Sequence, residues 1–169
     1  MAAYFRGEHP EMSAAVLLRR DRALTAIAVA LDVAFHAGRG GGGGTLAGAA
    51  EVAERLGVAR RGLEPVLQTL SRAELLESVR GPRGGYRLAR RPRETPLSEV
   101  LAAVAEGREP AEDGGLTGAL QAAVVWPLWD ELEAGLHERL AALTLEDLLR
   151  RAEAAGLKRP SAEPLNFAI

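Results

Sequence analysis

The chain has 169 residues, 47% of them hydrophobic, a formal net charge of −2 at pH 7 and no cysteine. The lack of cysteine excludes disulfides, thiol nucleophiles and thiolate metal sites. No apolar run approaches the ~18–20 residues of a membrane span, and residues 1–10 lack the apolar core of a secretion signal, so we expect a cytoplasmic protein without a membrane partner.

Charge is divided unevenly along the chain. Ten arginines and three glutamates lie between Arg55 and Arg93, whereas thirteen acidic residues and four arginines lie between Glu94 and Leu157. A basic stretch beside an acidic one is typical of a nucleic-acid surface joined to a part that must avoid DNA. The pattern therefore favours double-stranded DNA as a partner, although the net charge alone does not.

The first quarter of the chain predicts an arm, a helix and a loop. Residues 1–18 lack periodicity and are predicted to be a mobile arm. The glycine run 40–44 lacks the Lys and Ser/Thr of a phosphate-binding loop, so a flexible loop is favoured. Between them a helix is expected from Arg19 to Gly38, with one buried stripe at spacings of three and four: Leu24, Ile27, Ala28, Leu31, Ala34 and Phe35.

The next two helices have the residue pattern of a helix-turn-helix. Thr45 is predicted to cap the first and Gly57 to break it, and the second is expected from about Arg60 to Leu76, with Pro65 near its start. The alternative is an ordinary helix pair in an unrelated all-α fold. Small or apolar residues occupy the positions where the two helices touch: Val52, Ala53, Leu56, Val58, Leu63 and Val66.

A β-hairpin and a further helix are expected next. Strands are predicted at 77–79 and 86–88, joined by the loop 80–85, where Gly and Pro permit a tight reversal. Thr95 and Pro96 then begin a helix, and residues 107–118 are expected to form a loop. The apolar face of that helix is predicted to be Leu97, Val100, Leu101 and Val104.

Two helices complete the chain. Pro127 must kink the first or lie in its first turn, and the capping box at Thr144 and Asp147 predicts a last helix ending at Gly156, before an irregular tail at 158–169. An aromatic ligand cage of Trp126 and Trp129 is the less favoured alternative to simple packing. The long helix has a stripe predicted to form a homodimer interface: Val125, Leu128, Trp129, Leu132, Leu136 and Leu140.

Together these elements predict a mainly α fold with a small β-hairpin wing. A winged helix-turn-helix DNA-binding domain is expected at 19–106, followed by the dimerisation helix and the C-terminal helix at 107–157. Six charged residues of that domain are candidates for DNA contact: Arg60, Arg61, Glu64, Arg80, Arg83 and Arg87.

The candidates divide between two elements. The second helix of the helix-turn-helix would lie in the major groove, where Arg60 and Arg61 fit either guanine or phosphate and Glu64 can accept from a cytosine amino group. An arginine held at the hairpin turn, such as Arg80, can enter a narrow minor groove. The alternatives are a solvated helix face and plain surface charge.

Four stretches resemble the Rrf2 family of bacterial regulators: LDVAF at 31–35, AEVAERLG at 50–57, the pair at 63–64, and the wing motif SVRGPRGGYRL at 78–88. The resemblance covers about residues 17–155, and the wing motif is its most specific part. It implies a dimer through the long helix, a recognition helix in the major groove and a wing arginine in the minor groove. These roles transfer to the second helix, to Glu64 as a specificity residue and to Arg80.

One departure from that family concerns its cofactor. Many members carry three cysteines before the dimer helix that bind an iron–sulfur cluster, and residues 106–120 here contain none. We therefore expect no cofactor, and a small-molecule effector or a partner protein as the signal. His9, His36 and His137 are too scattered to predict a metal site, and no catalytic set of residues is visible, so an enzyme is not expected.

The favoured function is a sequence-specific transcriptional regulator, a repressor, that binds a palindromic operator as a homodimer. The alternative is a winged-helix protein-interaction module that has lost operator binding. The intact arginine set on the second helix and the hairpin favours DNA.

Overall fold

The computed structural model describes residues 20–37, 45–105 and 118–160. Within them the chain forms six α-helices and one antiparallel hairpin, so the predicted fold class is confirmed. The elements are α1 (Arg20–His36), α2 (Ala49–Leu56), α3 (Arg60–Arg72), β1 (Leu76–Val79), β2 (Gly85–Leu88), a 3-10 turn (Pro92–Glu94), α4 (Leu97–Ala105), a π-helical turn (Gln121–Val125), α5 (Trp126–Ala142) and α6 (Leu145–Ala154).

Several predicted segments lie outside the described residues: the arm at 1–18, the glycine run 40–44, almost all of the loop at 107–118 and most of the tail. None of the described helices is long and apolar enough to cross a membrane.

Helix α1 lies at the centre of the core, where it contacts α2, α3, α4, α6 and β2. The predicted buried stripe is confirmed only in part. Ala34 is buried and Ile27, Leu31 and Phe35 pack against the core while partly buried, whereas Leu24 is 52% exposed and Ala28 is only partly buried. Because neighbours on several sides must approach α1 closely, small side chains fill its centre and larger ones lie at the edge of the core. The buried face also contains Ala26, Val29, Ala30 and Val33, and Ala37, directly after the helix, is buried as well.

The two ends of α2 test two predictions. Thr45 does not cap α2, because the helix begins at Ala49 after Gly48, whose N–H donates to the Glu51 carboxylate at 3.3 Å. Gly57 ends α2 as predicted, in the left-handed conformation at φ 65° that glycine adopts without strain.

Helix α3 begins at Arg60 as predicted and ends at Arg72 rather than Leu76. Glu74 turns the chain back at φ 55°, a left-handed conformation that no other non-glycine residue of the described chain adopts. The N–H of Leu75 donates to the Leu70 carbonyl at 3.0 Å, which satisfies one of the last carbonyls of the helix. Leu75 and Leu76 then enter the core as the start of the hairpin.

The hairpin has the predicted strands, with Glu77 opposite Arg87. Ala47, just before α2, joins it: the N–H of Ala47 donates to the Tyr86 carbonyl and the N–H of Tyr86 donates to the Ala47 carbonyl, both at 2.9 Å. A Cβ at Gly85 would lie 2.7 Å from the Ala47 carbonyl oxygen, so this close approach requires glycine. The base of the wing is therefore attached to the start of the helix-turn-helix.

Helix α4 buries the four residues predicted for it, and the junction between α5 and α6 is held against its start. The N–H of Leu97 donates to the Leu143 carbonyl at 2.8 Å, and the N–H of Leu145 donates to the Thr95 carbonyl at 3.0 Å. Leu143 is extended and ends α5.

Pro127 occupies the second position of α5, directly after the π-helical turn, in which the Trp126 N–H donates to the Gln121 carbonyl. The widened turn accommodates the missing proline N–H.

Helix α6 begins with the predicted capping box. The Asp147 N–H donates to Thr144 Oγ1 at 3.3 Å, and the Thr144 N–H donates to the Asp147 carboxylate at 2.9 Å. That backbone N–H, with the Thr144 hydroxyl, lowers the pKa of Asp147. The helix ends at Ala154, slightly before the predicted Gly156, which adopts a left-handed conformation at φ 86°.

The conformation of Glu74 predicts a stabilising substitution. Glu74→Gly should raise the free energy of unfolding by about 0.5–1 kcal/mol, because glycine carries no Cβ to clash at positive φ. Ala73→Gly is the matched control: Ala73 lies at φ −79°, so glycine there should lower the same quantity by about 0.5–1 kcal/mol. Equilibrium urea unfolding measures both. If Glu74→Gly gave no gain, the turn would carry no strain.

Candidate nucleic-acid interface

Helices α2 and α3 form the predicted helix-turn-helix. Val52, Ala53, Leu63 and Val66 are buried between them and against α1, and Gly57 makes the turn. Val58, which was also expected at the contact, is 43% exposed. The packing fixes α3 against the core and leaves its other face open.

The open face of α3 carries the three predicted residues, of which two pair with each other and one has no ion-pair partner in the described chain. Arg60, Arg61 and Glu64 are all exposed. The Nε of Arg60 donates to Glu64 Oε1 at 3.1 Å, an ion pair one helical turn apart. Arg61 makes no ion pair with any described residue, so its guanidinium donors are free for another molecule.

The wing also divides its arginines into free and paired. Arg80 and Arg83 lie exposed in the loop between the strands, in which Gly81 adopts φ 122°, and within the described chain neither has an ion-pair partner. Arg87 instead makes two hydrogen bonds across the hairpin to the Glu77 carboxylate, at 2.8 and 2.9 Å. This contact raises the pKa of Arg87 and lowers the pKa of Glu77. The predicted DNA contact at Arg87 would therefore have to compete with an existing partner.

A partly buried ion pair, which the sequence pattern did not predict, joins α1 to the helix-turn-helix. Asp32 of α1 is 8% exposed and accepts from Arg55 of α2, from Nε at 3.0 Å and from Nη2 at 2.7 Å. The same carboxylate lies 3.2 Å from His36 Nδ1. Hydrogen bonding to Asp32 raises the pKa of Arg55. The available signal was Asp32 itself, the one acid in the apolar stretch 23–35 of α1, because a buried carboxylate needs a cationic partner.

The predicted dimer stripe is only partly exposed. Leu128 and Leu132 are each 52% exposed and Val125 is 41% exposed, with Leu120 and Val124 extending the apolar face. The other three predicted residues differ. Trp129 and Leu136 are half-buried, and Leu140 packs against the core of its own chain. The Nε1 of Trp129 donates to Glu133 at 2.9 Å, so its polar atom faces its own helix.

Comparison with known proteins assigns the chain to a family. The family model Rrf2, described as an iron-dependent transcriptional regulator, matches residues 25–151. The chain belongs to the Rrf2 family. It is 33% identical over 130 residues to the HTH-type transcriptional regulator IscR of Sodalis glossinidius, covering 76% of each chain. The family match indicates a DNA-binding transcriptional regulator of the helix-turn-helix type rather than an enzyme.

Solved structures show the same fold. The chain resembles T. potens IscR with a TM-score of 0.63 and 27% identity, over 83% of this chain and 91% of that one. It also resembles CymR, the global cysteine regulator of B. subtilis, with a TM-score of 0.59 and 24% identity, over 78% of this chain and 95% of that one.

The iron dependence in the family description does not fit the donors of this Rrf2 chain. An iron–sulfur cluster is held mainly by cysteine thiolates, and the sequence has none. In the part of the chain that the structure describes, no group of three or more His, Cys, Asp or Glu side chains is placed to hold a metal ion. The stretch 106–120, where the resemblance placed the family's cysteines, contains neither Cys nor His, and all of it except 118–120 lies outside the described residues.

Breaking the Asp32–Arg55 pair should destabilise the fold. Asp32→Asn removes the buried counter-ion of Arg55 and leaves only Glu51, 3.9 Å away. Because the Arg55 side chain is 29% exposed, we expect a loss of about 1–3 kcal/mol rather than the full penalty of a dry site. Urea unfolding gives the value. Glu77→Gln, which breaks the exposed pair on the wing, is the control and should change stability little. An unchanged urea midpoint for Asp32→Asn would contradict a structural role for the pair.

Proposed function

We infer that this Rrf2 protein is a cytoplasmic repressor that binds a palindromic operator as a homodimer and works without an iron–sulfur cluster. The observation that carries this proposal is which of the candidate arginines lack an ion-pair partner in the described chain. Arg61 on α3 and Arg80 and Arg83 on the wing are exposed and make no ion pair with described residues, whereas their neighbours Arg60 and Arg87 are paired. Contacts to bases and phosphates require unpaired guanidinium groups, and both α3 and the wing, the two elements proposed to read the DNA, carry them.

Each element has a separate task in this proposal. Helix α3 lies in the major groove, where Arg61 donates to a guanine edge or a phosphate. Glu64 holds Arg60 through their 3.1 Å hydrogen bond, so it sets the direction in which Arg60 points as well as offering an acceptor to cytosine. The wing loop places Arg80 at the minor groove, with Arg83 beside it.

A homodimer would have the two-fold symmetry that a palindromic operator matches. The apolar face of α5 supports this, since Leu128 and Leu132 would not remain half exposed beside Leu120 and Val124 without a cover. A second copy of α5 offers a matching apolar surface, and a two-fold dimer places two recognition helices on successive turns of DNA. Repression follows most simply, because a dimer that covers a promoter needs no contact with polymerase.

Three substitutions should separate the roles at the interface. Arg80→Ala should weaken every operator by about 1–3 kcal/mol, most where A·T pairs narrow the minor groove. Glu64→Ala should relax discrimination between related operators, because it frees Arg60 and removes a carboxylate that repels unsuitable sequences. Arg61→Ala should weaken specific binding more than non-specific binding if it contacts a base.

A competition assay against a randomised operator library at several salt concentrations measures these effects. Arg72→Ala is the control, because Arg72 is exposed at the far end of α3 and is expected to leave sequence preference unchanged. Equal losses for all three variants with one shared sequence preference would contradict the assigned roles. Binding to no duplex at any salt concentration would favour the protein-interaction module.

Charges on the exposed face of α5 should split the dimer. In the double variant Leu128→Asp and Leu132→Asp, each carboxylate would enter a dry interface without a partner, yet both positions are exposed in the single chain, so the fold should survive. Sedimentation velocity should show a monomer with unchanged helical circular dichroism. Ala134→Asp, exposed on a different face of α5, is the control and should stay dimeric. A dimeric double variant would place the interface elsewhere.

A further inference from the structure

A cavity of about 800 Å³ lies behind the wing, between the C-terminal half of α1, the stretch from β2 through the 3-10 turn, and the α6 side of the core. Its accessible apolar lining is Leu88 of β2 with Ala89 and Pro92, while Val33 and Ala34 of α1, which also border it, are almost fully buried. Its charged lining contains three glutamates and six arginines, which come from three separate parts of the chain: Arg87, Arg90, Arg91, Arg93, Arg150 and Arg159. None of the unpaired arginines proposed to contact DNA, Arg61, Arg80 and Arg83, lines the cavity.

The arginines of this cavity keep donors available. Arg91 makes no ion pair with a described residue, and Arg150 reaches Asp147 only at 3.4 Å while its side chain is 68% exposed. The Nε of Arg159 is buried and makes no hydrogen bond within the described chain, although Glu153 Oε1 lies 3.1 Å away, so their relative orientation is unsuited to one. Because each guanidinium has five N–H donors, the existing pairs leave many of them unused.

We propose that this cavity binds a small organic anion, a carboxylate attached to an apolar body, as the effector of the regulator. The apolar floor accounts for the body, and the guanidinium rim matches the planar, two-oxygen geometry of a carboxylate. The volume falls within the range of about 300–1,000 Å³ that small-molecule sites occupy. A bare phosphate or a DNA backbone would leave the floor uncovered.

The cavity and the wing share Arg87. Arg87 lines the cavity and at the same time makes the two cross-strand bonds to Glu77. An anion that takes donors from Arg87 competes with Glu77 and loosens the pair that joins β1 to β2, beyond which lie Arg80 and Arg83. Ligand and operator then influence each other's affinity by the same factor. This regulatory step rests on the proposed function, whereas the binding site does not.

The test uses three matched probes on the full chain without DNA: benzoate, benzyl alcohol, which has the apolar ring without the charge, and inorganic phosphate, which has the charge without the ring. Calorimetry should show saturable binding of benzoate. The affinities for benzyl alcohol and for phosphate should be lower than that for benzoate by about tenfold or more. The double variant Arg91→Gln and Arg150→Gln should lose about tenfold or more for benzoate. Arg151→Gln is the control, being the exposed neighbour of Arg150 on α6 that does not line the cavity.

Each outcome decides one step. No saturable benzoate binding, equal binding of phosphate, or an unaffected double variant overturns the site. Operator affinity measured with and without saturating benzoate then tests the coupling: a change that Arg87→Gln abolishes supports it, and no change overturns it. A protein that binds benzoate but no duplex refutes the proposed function and leaves the cavity supported.

Discussion

The structure depends on how closely its neighbours can approach α1. This helix contacts α2, α3, α4, α6 and β2, and its buried face is made of alanine and valine. Dispersion and hydrophobic burial both need close contact, and small side chains permit it from several directions at once. Asp32 is the one charge on that face, and its pairing with Arg55 adds a directional contact that favours one rotation of α2 about α1. Apolar packing alone would leave that rotation less defined, because it has no direction.

The arginines of the basic stretch are used in two different ways. Five of the ten between Arg55 and Arg93 pair with a carboxylate: Arg55, Arg60, Arg87, Arg90 and Arg93. The charge seen in the sequence therefore overstates what is offered to DNA. Of the unpaired ones, Arg61, Arg80 and Arg83 lie on the two reading elements and Arg91 lines the cavity. Intramolecular pairing thus separates the arginines that hold the fold from those that remain to bind.

Sequence alone predicted the features that depend on local chemistry. The turn at Gly57, the hairpin and the capping box at Thr144 follow from glycine conformation and from short-range hydrogen bonds, and the structure confirms them. The features that failed depend on tertiary contacts. The buried face of α1 was misassigned because larger apolar residues beside it match the same helical period. The end of α3 was misplaced because leucine favours helices locally, whereas Leu75 and Leu76 leave the helix and enter the core. The pairings of Asp32 and Arg87 cross between elements, so spacing along the chain could not show them.

The attachment of the wing to the helix-turn-helix explains how two separate reading elements keep one geometry. Ala47 precedes the first residue of α2 by a single glycine, and its two hydrogen bonds to Tyr86 fix β2 to that point. Gly85 lets the two backbones approach, and Gly84 is equally constrained, since a Cβ there would lie 2.3 Å from the Val79 carbonyl oxygen. The close approaches at these two glycines leave residues 80–83 as the exposed part of the wing loop. These backbone hydrogen bonds hold the base of the wing at the start of α2, so a change confined to the wing loop would leave the helix-turn-helix in place.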